Sequence, residues 1–150
     1  MLIRAIEERD IPIVARLLNV LAREFIVHES TPEGAATFLR ENDEEGIRHY
    51  IGMGHVYHVA EVDGEIAGFI AIRERSHLFH MFVGARWQRQ GVGRKLWEAA
   101  REAAVEAGGS GSFTVNASNF AVQVYEAMGF VRTAPTQCVK GLYFNPMELR

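Results

Sequence analysis

The sequence predicts an α/β fold, a mixed central sheet flanked by helices, and three observations carry that expectation. Two strand-like runs, Val56 to Val62 and Glu65 to Arg73, flank Asp63-Gly64, a dipeptide suited to a type I′ hairpin turn because both central residues take positive φ. A largely apolar run, His77 to Val83, passes through a turn bearing two glycines into a helix-like segment and then a second strand-like run, Phe113 to Asn116. Strand, helix and strand in that order make a parallel crossover. Ahead of all this, apolar residues recur at helical spacing.

Taken in order, Leu2 to Ile6 alternates like a short strand. Asp10 is placed to cap a helix running through Ile11, Val14, Leu17, Leu18, Leu21 and Phe25. A second helix is expected near Pro32, a favoured first-turn residue, with Ala35, Ala36, Phe38 and Leu39. The acidic, glycine-punctuated stretch from Glu41 to Gly54 fits a further helix or a flap equally well. The two hairpin strands and the buried run His77 to Val83 follow, then a helix from about Gly91 to Ala107 with Leu96, Ala100, Ala103 and Ala107 as its inner stripe. Gly108 to Ser112 stops that helix. After Phe113 to Asn116, Ser118 or Asn119 can cap a helix to about Met128, which Gly129 ends. Phe130 onward reads as two closing strands, the last near Leu142 to Leu149 and interrupted by Pro146.

Composition narrows the function. At 150 residues and 48% hydrophobic, the chain suits one domain over residues 1–150, with a core large enough to need no disulfide or structural metal. A net charge of -3 offers no field for nucleic acid, although Arg86, Arg89, Arg94 and Lys95 cluster locally, so a bound anion is expected to be small. The single cysteine, Cys138, and the absence of a signal-like N-terminal segment point to a cytoplasmic setting. No apolar run reaches the roughly 20 residues of a membrane span. His28, His49, His55, His58, His77 and His80 show no established ligand spacing, so no metal is expected.

The glycine turn is the most informative stretch. A glycine costs a helix about 1 kcal/mol relative to alanine, yet Gly91 and Gly93 both stand where this helix begins. A turn from strand into helix leaves backbone N–H groups unpaired at the positive end of the helix dipole, and small residues there let a phosphate approach the chain. A Rossmann fingerprint would need a third glycine where Leu96 stands, and a Walker A loop would need a different order of glycine, lysine and serine or threonine. Neither fits. What stands is Gln88-Arg89-Gln90-Gly91-Val92-Gly93, of the form Q/R-x-x-G-x-G/A.

This hexapeptide, between a strand and a helix, resembles the signature of the GCN5-related N-acetyltransferase (GNAT) family. Downstream, Asn119-Phe-Ala-Val-Gln-Val-Tyr125-Glu-Ala-Met-Gly129-Phe130 resembles that family's second motif, and the order of elements from Val56 onward agrees. The resemblance implies a GNAT-like fold, its mostly antiparallel sheet containing a splayed parallel strand pair. The gap would fall between His77 to Val83 and Phe113 to Asn116. It further implies that acetyl-CoA serves as co-substrate, its pyrophosphate held by the backbone of Gln88, Arg89, Gln90, Gly91, Val92, Gly93 and Arg94. Val83 would meet the pantetheine arm, and so would Asn119, although capping alone would also account for that residue.

The implied chemistry is transfer of the acetyl group to an amine by direct attack in a ternary complex. Tyr125 matches the family's general acid, which protonates the departing thiolate. Packing would also account for it, since Ala121, Val124, Tyr125 and Met128 share one helix face. His77 stands where family members often place a glutamate base, and a water chain is the alternative; His80 is expected on the opposite face of a regular strand. Cys138 has no partner motif for a covalent acyl intermediate. Trp87 and Trp97 read as packing residues and Glu41 to Glu45 as a solvated face. The acceptor is left open between a small-molecule amine and a protein amine, either lysine or N-terminal. A homodimer through Tyr143-Phe144 is a further implication. A non-catalytic acyl-CoA-binding or regulatory module, or a purely structural domain, would share the turn without needing Tyr125.

Overall fold

The computed structural model describes residues 1–26 and 29–150, so that His28 lies outside the described residues. In chain order the elements are β1 (Leu2–Ala5), α1 (Ile11–Phe25), α2 (Pro32–Glu41), α3 (Glu44–Gly52), β2 (Val56–Val62), β3 (Glu65–Arg73), β4 (His77–Val83), α4 (Val92–Glu106), β5 (Phe113–Ala117), α5 (Val122–Ala127), β6 (Val131–Arg132), β7 (Gln137–Val139) and β8 (Leu142–Leu149). One sheet runs β1-β2-β3-β4-β5-β8-β6, with β7 also pairing β8. Every pairing is antiparallel except β4 with β5.

Strand alternation sends side chains to two apolar layers. On one face Tyr57, Val59, Phe69 and Ala71 pack against Ile11, Val14, Leu18 and Ala22 of α1 and Ile47 of α3. On the other, Ile70, Ile72, Leu78, Phe113 and Val115 pack against Val92, Leu96, Trp97, Ala100 and Ala104 of α4 and Val122 and Tyr125 of α5. The buried stripe of α4 therefore includes Trp97 and Ala104, whereas Ala107 is exposed and Ala103 only half-buried. On α5, Val122 takes the inward place expected of Val124, which is exposed.

The undecided stretch after Glu41 forms α3, started by the Asp43 carboxylate accepting the Gly46 N–H at 2.8 Å. Asp63 and Gly64 take positive φ, as a type I′ turn requires. Lys140 and Gly141 do the same between β7 and β8, so three short strands follow Phe130 rather than two. A Cβ at Gly141 would run into Thr31, whose N–H donates to the Gly141 carbonyl at 3.1 Å. β8 runs unbroken through Pro146: the missing N–H removes a donor, but the Pro146 carbonyl accepts from Thr133 N–H at 3.0 Å. The edge at Tyr143 and Phe144 is used within the chain, by β7.

Asp10 does not cap α1 with its side chain. Its carboxylate accepts from Arg4 at 2.7 and 3.0 Å and from Glu7 N–H at 2.8 Å, tying β1 to the start of α1. The Arg4 hydrogen bond holds the Asp10 carboxyl below its usual range. Because the folded-state pKa lies below the unfolded one, the pair stabilises above pH about 4 and its contribution is lost as pH falls through the folded value. Asp10→Asn is expected to cost about 3 kcal/mol at pH 7, with the gap to wild type closing on acidification. Thermal melts from pH 7 to 2 test this, and a gap that stays constant would sink the charge argument.

Candidate active site

The parallel pair is short. His77 is in register with Thr114 and Leu78 with Val115, and beyond these β4 and β5 share no pairing. Residues Phe79 to Val83 therefore present an edge free of strand partners on the β5 side, and the sheet opens there as a V.

The glycine turn stands at the open end. Gly91 has φ +83°, a left-handed conformation that favours glycine, and nothing crowds a Cβ built there. Gly93 is different: it is helical, and the nearest atoms to a Cβ there would be Met81 Cε and Val83 Cγ2, both at an ordinary 3.7 Å. Neither backbone shape nor packing demands glycine at 93. The N–H groups of residues 89 to 94 have no backbone partner among the described residues, and the first bond there runs from Lys95 N–H to Gly91 O at 3.1 Å. Arg89, with φ +64°, alternates with Gly91 in left-handed geometry, which gathers N–H groups toward one concavity.

The flanking side chains divide into two groups. Arg89, Arg94 and Lys95 are exposed and pair with no carboxylate among the described residues. Arg86 instead approaches Glu65 at 3.4 Å and lies over the Trp87 ring. Gln88 Nε2 donates to Val83 O at 3.0 Å and Gln90 Nε2 to Arg86 O at 3.0 Å, so both amides brace the turn from within.

β4 is not regular. Ala71 pairs with His80 and Ile72 with Leu78, so the register slips by one residue at Phe79. Leu78, Met81 and Val83 pack on the α4 side, while Phe79 and Phe82 join the opposite layer. The extra residue turns His80 onto that opposite side, where its ring meets Phe38, Phe79 and Phe82. The expectation that His80 would oppose His77 assumed a regular strand and does not hold: His77 faces the same way, its Nδ1 2.8 Å from Thr114 Oγ1. Burial pushes His77 down to about 4 and His80 down to about 3. Both rings are neutral at neutral pH.

On the β5 side, Asn119 does not cap α5. Ser118 Oγ accepts the Ala121 N–H at 3.3 Å instead. Asn119 Nδ2 donates to Glu29 Oε2 at 2.6 Å and its Oδ1 accepts from Asn145 Nδ2 at 2.8 Å. Asn145, wholly buried in β8, also donates to Ala117 O and accepts from Arg132 and Thr136, so that each of its donors and acceptors is used. Sequence reasoning missed this residue; an asparagine inside an apolar strand was the available signal.

Tyr125 is buried against Phe130, rings 5.6 Å apart and 66° inclined. Its hydroxyl makes no hydrogen bond among the described residues. Burial pushes the phenol up.

A cavity of about 580 Å³ between Met53, Ile72, Ala100 and Ala104 takes in none of these residues. Cys138 is exposed and free. Among the described residues no group of three or more His, Cys, Asp or Glu side chains could hold a metal, and no helix is long and apolar enough to cross a membrane.

Known structures show the same architecture. A GCN5-related N-acetyltransferase from Rhodopseudomonas palustris superposes with a TM-score of 0.81 at 19% identity, over 98% of this chain and 93% of that one. PaiA N-acetyltransferase from Thermoplasma acidophilum, solved with coenzyme A, gives 0.78 at 16% identity over 99% and 98% of the two chains. YncA from Salmonella typhimurium, solved with acetyl-CoA, gives 0.69 at 18% identity over 100% and 93%. At these identities the likeness is one of fold. No curated protein matches the chain in sequence. The acetyltransferase (GNAT) domain, however, matches residues 26–150. With its opened parallel pair and glycine turn in place, the chain belongs to the GNAT acetyltransferase family.

Proposed function

We propose that this protein is an N-acetyltransferase that moves the acetyl group of acetyl-CoA to an amine by direct attack in a ternary complex. The observation that carries the reading is Gly93, a helix-weakening residue that nothing inside the protein requires, set between unpaired N–H groups and the opening of β4 from β5. Residues 88–94 would hold the pyrophosphate, with Arg89 and Arg94 adding charge. The free edge of β4 ending at Val83, together with Asn119, would line the pantetheine arm. Bound acetyl-CoA supplies the acetyl group already activated as a thioester.

Tyr125 is placed in the role of proton donor. Its raised pKa keeps the phenol protonated through the neutral range, the state a donor must hold. His77, neutral and hydrogen-bonded to Thr114, is assigned to the route by which the amine proton leaves, as an acceptor of hydrogen bonds rather than a store of charge.

Calorimetric titration with acetyl-CoA, and with CoA and ATP as comparators, tests the donor site. Saturable binding that favours acetyl-CoA is expected. A folded sample that binds none of the three would overturn the reading.

A further inference from the structure

Four polar side chains from separate parts of the chain form one hydrogen-bonded line. Arg132 of β6 donates from Nη1 to Asn145 Oδ1 at 2.9 Å, Asn145 Nδ2 donates to Asn119 Oδ1 at 2.8 Å, and Asn119 Nδ2 donates to Glu29 Oε2 at 2.6 Å. Every donor in the line points the same way, from a guanidinium at one end to a carboxylate at the other.

The direction is fixed by chemistry. A guanidinium only donates and a backbone carbonyl only accepts, so Arg132 and Ala117 O, which lies 3.1 Å from Asn145 Nδ2, allow a single orientation of the Asn145 amide. Thr136 adds a second donor to the same Asn145 oxygen at 2.6 Å. With the Asn145 NH2 group facing it, Asn119 must turn its oxygen inward and its own NH2 outward. Asn145 is wholly buried and Asn119 is exposed, so the buried amide orients the exposed one. Amides aligned in this way polarise one another, and the cation at the far end strengthens the last donor of the line.

The line ends beside the opening of the sheet. β5 makes no pairing with β4 beyond Val115, and Asn145 lies opposite Ala117 at the last rung that β5 makes with β8. Asn119 follows two residues later with its NH2 outward, and Glu29 is the acceptor that it meets within the chain. On the donor reading above, the pantetheine arm runs past Asn119, and the amide carbonyls of that arm are acceptors that an NH2 group satisfies.

We propose that Asn145 is a positioning residue for the donor. Through this line it presents the Asn119 NH2 to an amide carbonyl of the pantetheine arm, which takes the place of the Glu29 carboxylate. The inference rests on the transfer reading above. Were the Asn119 amide reversed, its outward oxygen would meet a carbonyl as acceptor against acceptor.

Asn145→Asp performs that reversal. One carboxylate oxygen still accepts from Arg132 and Thr136, but the other can no longer donate to Asn119 and draws its NH2 inward. The test is calorimetry with acetyl-CoA and with 3′-phospho-ADP, which keeps the pyrophosphate and lacks pantetheine. Asn145→Asp is expected to raise the Kd for acetyl-CoA about tenfold and to leave that for 3′-phospho-ADP within twofold. Arg132→Met, at the exposed end of the line, is expected to raise the Kd for acetyl-CoA about threefold with the same split. Equal losses for the two ligands would make Asn145 a structural residue only and overturn the assignment. An acetyl-CoA Kd unmoved in folded Asn145→Asp does the same, and Arg132→Met decides by the same criterion if the buried variant does not fold. Wild-type protein that binds acetyl-CoA beside unmoved variants overturns this inference alone, whereas wild-type protein that does not bind it removes the transfer reading itself.

Discussion

Tyr125→Phe is expected to lower the turnover number by about a hundredfold or more, the usual range for loss of a positioned proton donor, while leaving acetyl-CoA affinity within about twofold. The substitution is unusually clean. The Tyr125 hydroxyl has no hydrogen-bond partner among the described residues, so phenylalanine keeps the ring against Phe130 and removes only the oxygen. A purely structural tyrosine would therefore leave both the melting temperature and the rate unchanged. Only a chemical role predicts a lost rate at constant stability. Single-turnover kinetics alongside a thermal melt separates the two, and an undiminished turnover number would remove Tyr125 from the mechanism. The same variant distinguishes an enzyme from a module that merely binds acyl-CoA.

Substitutions at Gly93 are expected to move stability and affinity in opposite directions. Gly93→Ala replaces the poorest non-proline helix former with the best and should stabilise the fold by up to about 1 kcal/mol, since the new Cβ finds Met81 and Val83 at ordinary contact distance. The same methyl occupies space beside unpaired N–H groups where a phosphate is proposed to sit. Acetyl-CoA affinity should fall, modestly for Gly93→Ala and by at least about tenfold for Gly93→Val, an effect of about 1.4 kcal/mol. Calorimetry on folded Gly93→Val decides the matter: an unchanged Kd would count decisively against a phosphate site at this turn.

Features set by neighbouring residues were legible in the letters. Asp63-Gly64 announces its turn because only a few residues tolerate two consecutive positive φ values. The crossover around Gly91 and Gly93 announces itself because a helix does not otherwise begin at such cost. Features set by remote residues were not legible. The slip at Phe79, which brings His80 to the face of His77, is a property of the β3–β4 register and leaves no mark in the run His77 to Val83. Asn119 reads locally as a cap, but it faces Glu29 and Asn145, and an amide follows its best-placed partners rather than its nearest ones. The stretch after Glu41 carries glycines at 46, 52 and 54 that weaken any helical reading, and burial of Ile47 against α1 settles it. The packing of Phe38, Phe79 and Phe82 around His80 likewise joins two elements distant in sequence and has no local signature.

The two-residue register between β4 and β5 has a mechanical meaning. His77–Thr114 and Leu78–Val115 are the only rungs joining those strands, so they act as a fulcrum, and the strand segments beyond them are the arms of a lever. Val83 stands five residues out from Leu78, roughly 17 Å at about 3.4 Å per residue. A rotation that shifts atoms by a few tenths of an ångström near Leu78 is amplified several-fold at the mouth, where donor and acceptor are proposed to meet. The close packing of Leu78 against Val115 thereby sets the calibre of the opening.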